Sequence, residues 1–176
     1  MKRDIATLLV ILATSLPTFS WAQHNLERAQ RDWPDLELLK PAEVQALAEV
    51  VRTDLNRRGC RIPIFTKWDA RHNVIRGSFL RRGSQDVAVL CLLDDDMTII
   101  VYPDGVEKGA HQIRRFPADA YRMIHGVSPF VLRKRAIRDS AVERLPDFDH
   151  DGIDDGPVGE RHETTYFHVG RWINVF

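Results

Sequence analysis

The sequence predicts a single α+β domain, with one N-terminal amphipathic helix packed on an antiparallel β-sheet of about five to seven strands. Two observations support this prediction. Apolar residues repeat with a helical period between residues 44 and 55, and from residue 73 onward they repeat with a period of two between short turns. The chain has 176 residues, of which 44% are hydrophobic, so it is long enough for one ordinary domain with a real core.

The first 22 residues are predicted to be a secretory signal peptide. Lys2 and Arg3 give a positive start, residues 5–13 are apolar, and residues 20–22 (Ser-Trp-Ala) resemble a cleavage site. The alternative is a membrane anchor, but the apolar run is shorter than the roughly 20 residues that span a bilayer. The mature chain would then start at Gln23 and would be periplasmic or secreted, without stable membrane insertion.

Charge offers no argument for a nucleic-acid partner. Beyond residue 22 the chain has 154 of its 176 residues, with 23 basic and 24 acidic side chains and a net charge near −1. The arginines are scattered rather than clustered, so an anionic membrane surface is not indicated either. The expected partner is therefore an unknown protein or a small molecule.

Residues 23–38 are predicted to be an extended lead-in and residues 39–176 the folded domain, which opens with a helix from about Pro41 to Asn56. Pro41 suits the first helical turn, and Gly59 suits the position just past the end. The helix has one apolar stripe, which we expect to pack on the sheet; it consists of Val44, Leu47, Ala48, Val51 and Leu55.

Candidate strands follow at residues 73–80, 86–93 and 97–102, separated by segments rich in glycine and aspartate. Residues 86–93 are the most apolar of these runs, which predicts a central strand covered on both faces. Further candidate strands are residues 110–116, residues 130–137 and a closing β-hairpin over residues 164–176, while residues 117–124 could form one or two helical turns.

Cys60 and Cys91 are the only two cysteines of the chain. In an oxidising compartment an even pair is most simply a disulfide, and a closed loop of about 30 residues would contribute roughly 3–4 kcal/mol on the chain-entropy estimate. The alternative is a pair of buried free thiols. A catalytic thiol is not indicated, because neither cysteine lies in a C-x-x-C pair or beside an evident base.

Residues 147–155 hold five aspartates in nine positions, with Gly152 at the sixth. Ca²⁺ needs several oxygen ligands from a tightly curved loop, and alternating carboxylates around a glycine supply them. Val158 occupies the twelfth position, where a bidentate glutamate would complete the shell, so the affinity should be weak, about 10⁻⁴–10⁻³ M. The alternatives are a solvated acidic turn and a catalytic use of the carboxylates. The predicted ligands are the side chains of Asp147, Asp149, Asp151 and Asp155 and the carbonyl of Ile153, while Asp154 should point away from the ion or contact one of its ligands.

Residues 147–155 resemble the calcium-binding loop of thrombospondin type 3 repeats, whose pattern D-x-D-x-D-G-I-x-D they match, and less closely an EF-hand loop. These likenesses imply a local calcium site and not a shared fold. Residues 77–89 are similar to a degenerate FG-GAP repeat of integrin-type propellers, through Gly77-Ser78-Phe79, Gly83 and Asp86-Val87-Ala88-Val89.

Three features occur together in the chain: the helix, the pattern N-V-I-x-G-x-F … D-x-A-V-L-C over residues 73–91, and D-H-x-G-I-x-D over residues 149–155 before a closing hairpin. In this combination the chain resembles a family of uncharacterised exported bacterial proteins. The resemblance implies export and a common fold over most of the mature chain, but it implies no activity.

The sequence has no G-x-S-x-G, no P-loop and no H-E-x-x-H motif. His162 and His168 are six residues apart, so on a regular strand they would lie about 20 Å apart, too far for one zinc ion. We therefore predict an exported, non-enzymatic binding or structural module, with no catalytic residues and with Ca²⁺ as its cofactor. The alternatives are a small metal-assisted hydrolase that uses a histidine such as His150, and an inhibitor or accessory protein that docks on a periplasmic enzyme.

Overall fold

The computed structural model describes residues 31, 34–66, 73–94, 96–117, 125–130, 149–157 and 163–175. The predicted signal peptide, most of the predicted lead-in and nearly all of the strand predicted at 130–137 lie outside these residues, as do the helical turns predicted after Pro117. Within the described part of the chain, no helix has the length and apolar character to cross a membrane.

The described elements are ten β-strands, one α-helix and two short 3₁₀ turns. The strands are β1 (Leu36–Leu39), β2 (Ile62–Phe65), β3 (Val74–Gly77), β4 (Asp86–Leu93), β5 (Asp96–Tyr102), β6 (His111–Pro117), β7 (His125–Phe130), β8 (Gly152–Pro157), β9 (Glu163–His168) and β10 (Arg171–Asn174). The helix is α1 (Glu49–Arg57), and the 3₁₀ turns are Pro41–Glu43 and Pro103–Gly105.

These strands form three antiparallel sheets. β1 pairs with β2, the central sheet has the order β3-β4-β5-β6, and the C-terminal sheet has the order β10-β9-β8-β7. The α+β prediction is thus confirmed only in its coarse form, because strands dominate, and the prediction of one sheet is wrong. The apolar character of β4 explains the difference: such a strand needs cover on both faces, and a single helix covers part of one.

The core lies on both faces of the central sheet. Along β4, Ala88 and Leu90 face one way, whereas Val89 and Cys91 face the other. The first face packs against the C-terminal sheet through Ile153 of β8. On the second face the cover is α1 and β2, through Val51, Leu55, Ile62 and Ile64. The prediction of a central strand covered on both faces is therefore confirmed.

The helix lies later in the chain than predicted. α1 begins at Glu49, and the first two predicted turns are instead a 3₁₀ turn at Pro41–Glu43 followed by irregular backbone. Ala48 is extended (ψ 151°) and separates the two, and β1 precedes both, so the helix is not N-terminal. Val44 and Leu47 are three residues apart, a spacing that fits a 3₁₀ turn as well as an α-helix. The apolar pattern therefore does not show that the 3₁₀ turn and α1 are separate elements.

The predicted disulfide between Cys60 and Cys91 is present, which excludes the alternative of free thiols. Both residues are fully buried. Cys60 follows the end of α1 and Cys91 lies within β4, so the bond joins the helix to the central sheet. Next to it, Arg61 and Leu92 exchange two backbone hydrogen bonds of 3.0 and 2.8 Å.

The predicted closing hairpin is formed by β9 and β10, with Trp172 opposite Phe167. Val169 and Gly170 at its tip have positive φ angles of 47° and 76°. A two-residue hairpin turn of this kind favours Asn-Gly, and a β-branched residue is strained there. Val169 is also 84% exposed, so no packing compensates for the strain.

Candidate functional site

The second half of the aspartate segment is a strand and not a loop. β8 pairs with β7 on one side and with β9 on the other. Ile153 and Asp155 alternate with Asp154 along it and are both buried. Because extended backbone advances about 3.3 Å per residue, Asp155 lies about 10 Å along the strand from Gly152. Two of the predicted calcium ligands, Ile153 and Asp155, therefore lie along an extended strand and not in one curved loop with the ligands that precede it.

Asp151, just before β8, bonds to the end of β3. Its backbone N–H donates to the Ser78 carbonyl (2.8 Å), and its carboxylate accepts from the Ser78 N–H (2.8 Å). Gly77 makes this approach possible. A Cβ at Gly77 would lie 2.7 Å from the Phe79 ring and 3.0 Å from Oδ2 of Asp151. The two segments that carry the sequence resemblances thus meet at Ser78 and Asp151.

Asp149, His150 and Tyr166 form a second hydrogen-bonded group. Oδ1 of Asp149 lies 2.6 Å from Nδ1 of His150 and accepts from the Tyr166 hydroxyl (3.3 Å). The imidazole stacks on the phenol ring with centroids 4.3 Å apart. The hydrogen bond with His150 lowers the pKa of the Asp149 carboxyl below its usual value and outweighs desolvation. Burial raises the pKa of Tyr166 above its ordinary value.

Both ring nitrogens of His150 are engaged within the protein. Nε2 lies 2.9 Å from the carbonyl oxygen of Phe167, and Nδ1 faces Asp149. The side chain is only 8% exposed. His150 therefore links the segment before β8 to β9.

The structure gives Asp149 and Asp151 separate protein partners, and it places Asp155 on the strand beyond them. Among the described residues, no group of three or more His, Cys, Asp and Glu side chains is arranged to hold a metal ion. Asp147 lies outside the described residues, as does His162. Calcium binding therefore stays a prediction.

A cleft opens between β6, at the edge of the central sheet, and β9 and β10 of the C-terminal sheet. Its volume is about 520 Å³, within the range of about 300–1,000 Å³ that small-molecule sites occupy. Strands from two different sheets thus meet at one concave site. β6 contributes Ile113, Arg114 and Arg115, β9 contributes Glu163 and Thr165, and β10 contributes Trp172 and Asn174.

Strand geometry positions the side chains of the cleft. Thr165 of β9 lies opposite Asn174 of β10, so both project from the same face. In β6, the register with β5 passes from Arg114 directly to Gln112, which leaves Ile113 as a β-bulge. A bulge re-aims neighbouring side chains, and here Ile113 and Arg114, adjacent in sequence, both line the cleft.

The charged groups of the cleft are paired within the protein. The Arg114 guanidinium binds Glu163 at 2.6 Å and Asp155 at 3.5 Å. Arg115 binds Asp96 at 2.5 Å. The Asp155 side chain is fully buried and that of Arg114 is 22% exposed. Through these ion pairs Arg114 of the central sheet binds to β8 and β9 of the C-terminal sheet.

Neutral polar groups and an indole complete the cleft. The Thr165 hydroxyl donates to Oδ1 of Asn174 (3.1 Å), and Nδ2 of Asn174 donates to Glu163 (3.5 Å). Trp172 packs on Phe167 with ring centroids 5.2 Å apart. Its indole N–H is buried and has no hydrogen-bond acceptor among the described residues.

Sequence reasoning missed this cleft, because no motif joins residues 113–115 to residues 163–174. The signal that was available is weak. In the predicted hairpin, Trp172 and Asn174 alternate with Arg171 and Ile173, which places an indole and an amide on one face. Nothing in the sequence indicates that β6 lies opposite that face.

A third polar group lies on the other side of the central sheet and is structural. Asp54 of α1 is buried and accepts hydrogen bonds from Arg57, Arg58 (2.7 Å) and the Tyr102 hydroxyl (2.9 Å). Burial raises the pKa of Asp54, but these bonds outweigh it and leave the pKa below 3.8. Burial and the bond to Asp54 raise the pKa of Tyr102. Such ion-pair networks perturb pKa values without a catalytic role, and this one ties α1 to β5.

Comparison with known proteins finds no matching family model, no matching curated protein and no matching solved structure. The resemblances drawn from short sequence patterns therefore stay predictions. Function rests on the geometry of the site.

Proposed function

We propose that this protein is an exported, non-enzymatic binding module that holds a small polar ligand in the cleft between β6 and β9–β10. The observation that carries the proposal is the cleft itself, a concave site of about 520 Å³ built from both four-stranded sheets. Clefts between packed units, with a few convergent polar groups, are the usual place for a small ligand.

The chemistry of the cleft favours binding over catalysis. Among the described residues that line it, the Glu163 carboxylate pairs with Arg114 and the Thr165 hydroxyl donates to Asn174. Nucleophilic catalysis needs a hydroxyl or thiol next to a base that can take its proton, and these contacts do not provide that arrangement.

Export is supported by the disulfide and by the predicted signal peptide. A buried bond between Cys60 and Cys91 is typical of proteins that fold in an oxidising compartment. An exported module of this kind would meet ligands of the periplasm or of the medium.

Equilibrium dialysis of the purified protein against small molecules from the periplasm and medium of its host tests the proposal. Mass spectrometry identifies compounds enriched on the protein side. Asn174→Trp should fill the cleft and abolish enrichment, whereas Arg171→Trp, on the opposite face of the same strand, should leave it intact. A compound enriched equally by both variants, or no enriched compound at all, would overturn the proposal.

A further inference from the structure

We propose that the ligand of this cleft is a neutral polyhydroxylated molecule, a saccharide of one or a few rings. This inference rests on the proposed binding function and names its ligand class. It follows from three properties of the described lining: its charges, its pattern of donors and acceptors, and its indole.

The charged side chains of the described lining are paired within the protein, so none of them is left as a counter-ion for a charged ligand. Arg114 is held between Glu163 and the buried Asp155, and Arg115 is held by Asp96. An anionic ligand would have to displace one of these carboxylates, and a cationic ligand would have to displace an arginine. A neutral ligand can bind to the outer edges of these pairs without breaking them.

Donors and acceptors lie side by side in the cleft. The guanidinium of Arg115 offers donors, the carboxylate of Glu163 offers acceptors, and the amide of Asn174 and the hydroxyl of Thr165 offer both. A sugar hydroxyl is itself donor and acceptor, and two neighbouring hydroxyls match the paired atoms of a planar amide, carboxylate or guanidinium. An apolar ligand would cover the remaining donors and acceptors of these groups without bonding to them, which is costly.

Trp172 adds an apolar wall and an unused donor. Phe167 and His111 hold the indole, with ring centroids 5.2 and 6.3 Å from it, so it is a rigid surface on which the C–H face of a sugar ring can pack. Its N–H has no acceptor among the described residues.

The test is calorimetric titration of the purified, disulfide-bonded protein with defined probes. The neutral probes are maltotriose, cellotriose and tri-N-acetylchitotriose; the charged probes are phosphate, citrate and spermidine. We expect at least one neutral probe to bind, with affinity reduced at least tenfold by Asn174→Ala and unchanged by Arg171→Ala. Glu163→Gln removes the carboxylate that competes with an anionic ligand for Arg114. The change should therefore raise the affinity for phosphate or citrate but not the affinity for a saccharide.

Each other outcome overturns the inference in a distinguishable way. If only phosphate, citrate or spermidine binds, and Asn174→Ala weakens it, the cleft is a ligand site but the ligand class is wrong. Saccharide binding that Asn174→Ala leaves unchanged places the sugar elsewhere on the protein. If no probe binds while dialysis still enriches a compound on the wild type and not on Asn174→Trp, the binding function stands and the saccharide assignment fails.

Discussion

Ser78 and Asp151 exchange two hydrogen bonds of 2.8 Å and so join the central sheet to the C-terminal sheet. One bond is between backbone atoms, and the other runs from the Ser78 N–H to the Asp151 carboxylate. Asp86 supports the same turn from within, since its carboxylate accepts from the N–H groups of Phe79 and Leu80 and from the Ser84 hydroxyl. Two acidic side chains therefore hold the turn after β3.

The link predicts that Asp151→Ala destabilises the protein by about 1.5–3 kcal/mol, the usual value of a hydrogen bond to a charged group. Gly77→Ala should cost about 1–3 kcal/mol, because the new Cβ would press on the Phe79 ring. Urea unfolding measures both losses. Glu37→Ala is the control, since Glu37 is an exposed acidic residue of β1. A loss for Asp151→Ala no larger than that of the control would contradict the link.

Calcium binding predicts a difference between melting curves recorded in millimolar Ca²⁺ and in chelator. At ten times the Kd, binding to the native state alone adds about 1.4 kcal/mol, so the Tm should rise by a few degrees. Asp149→Ala combined with Asp147→Ala should remove the difference, and Asp154→Ala should not. Identical curves for the wild type would contradict calcium binding, and the hydrogen bonds of the aspartate segment would then be its only role shown here.

The Asp54 network predicts a loss of stability in acid. Its folded-state pKa lies below the ordinary 3.8, so the ion pairs contribute fully above pH 3.8 and are lost as the pH falls through the lower folded value. At neutral pH, Asp54→Asn should cost about 1.5–3 kcal/mol, because two arginines lose a charged partner. Denaturant unfolding from pH 7 to pH 2 should show this cost shrinking below pH 3.8. A cost that stays constant over that range would contradict the network.

The tip of the closing hairpin predicts a stabilising substitution. Val169 has a φ of 47° and is exposed, and the left-handed region costs an ordinary residue about 1–2 kcal/mol. Val169→Asn should therefore raise the free energy of unfolding by about 1 kcal/mol, measured by urea titration. Val106→Asn is a matched control, because Val106 is exposed with extended backbone (φ −114°). Equal effects of the two changes would show that the turn carries no strain.

Local patterns predicted what depends on local chemistry. The apolar run of β4 predicted a strand covered on both faces, and the two cysteines predicted their bond. β8 was missed because its glycines and aspartates are typical of turns, whereas the partners that make it a strand, β7 and β9, lie elsewhere in the chain. β7 was missed for the same reason, since it contains Gly126 and Pro129. The cleft was beyond prediction, because it forms only when β6 and β10 of different sheets come together.

The indole N–H of Trp172 provides the most direct test of the cleft as a binding site. In a ¹⁵N-labelled sample each tryptophan gives its own indole signal, and Trp172→Phe identifies this one. A small molecule that is retained in dialysis and binds in the cleft should shift the Trp172 indole signal and the amide signals of residues 113–115, while the Val169 and Gly170 amides at the hairpin tip stay in place. A Trp172 signal that does not move as the retained compound saturates the protein would contradict binding in the cleft.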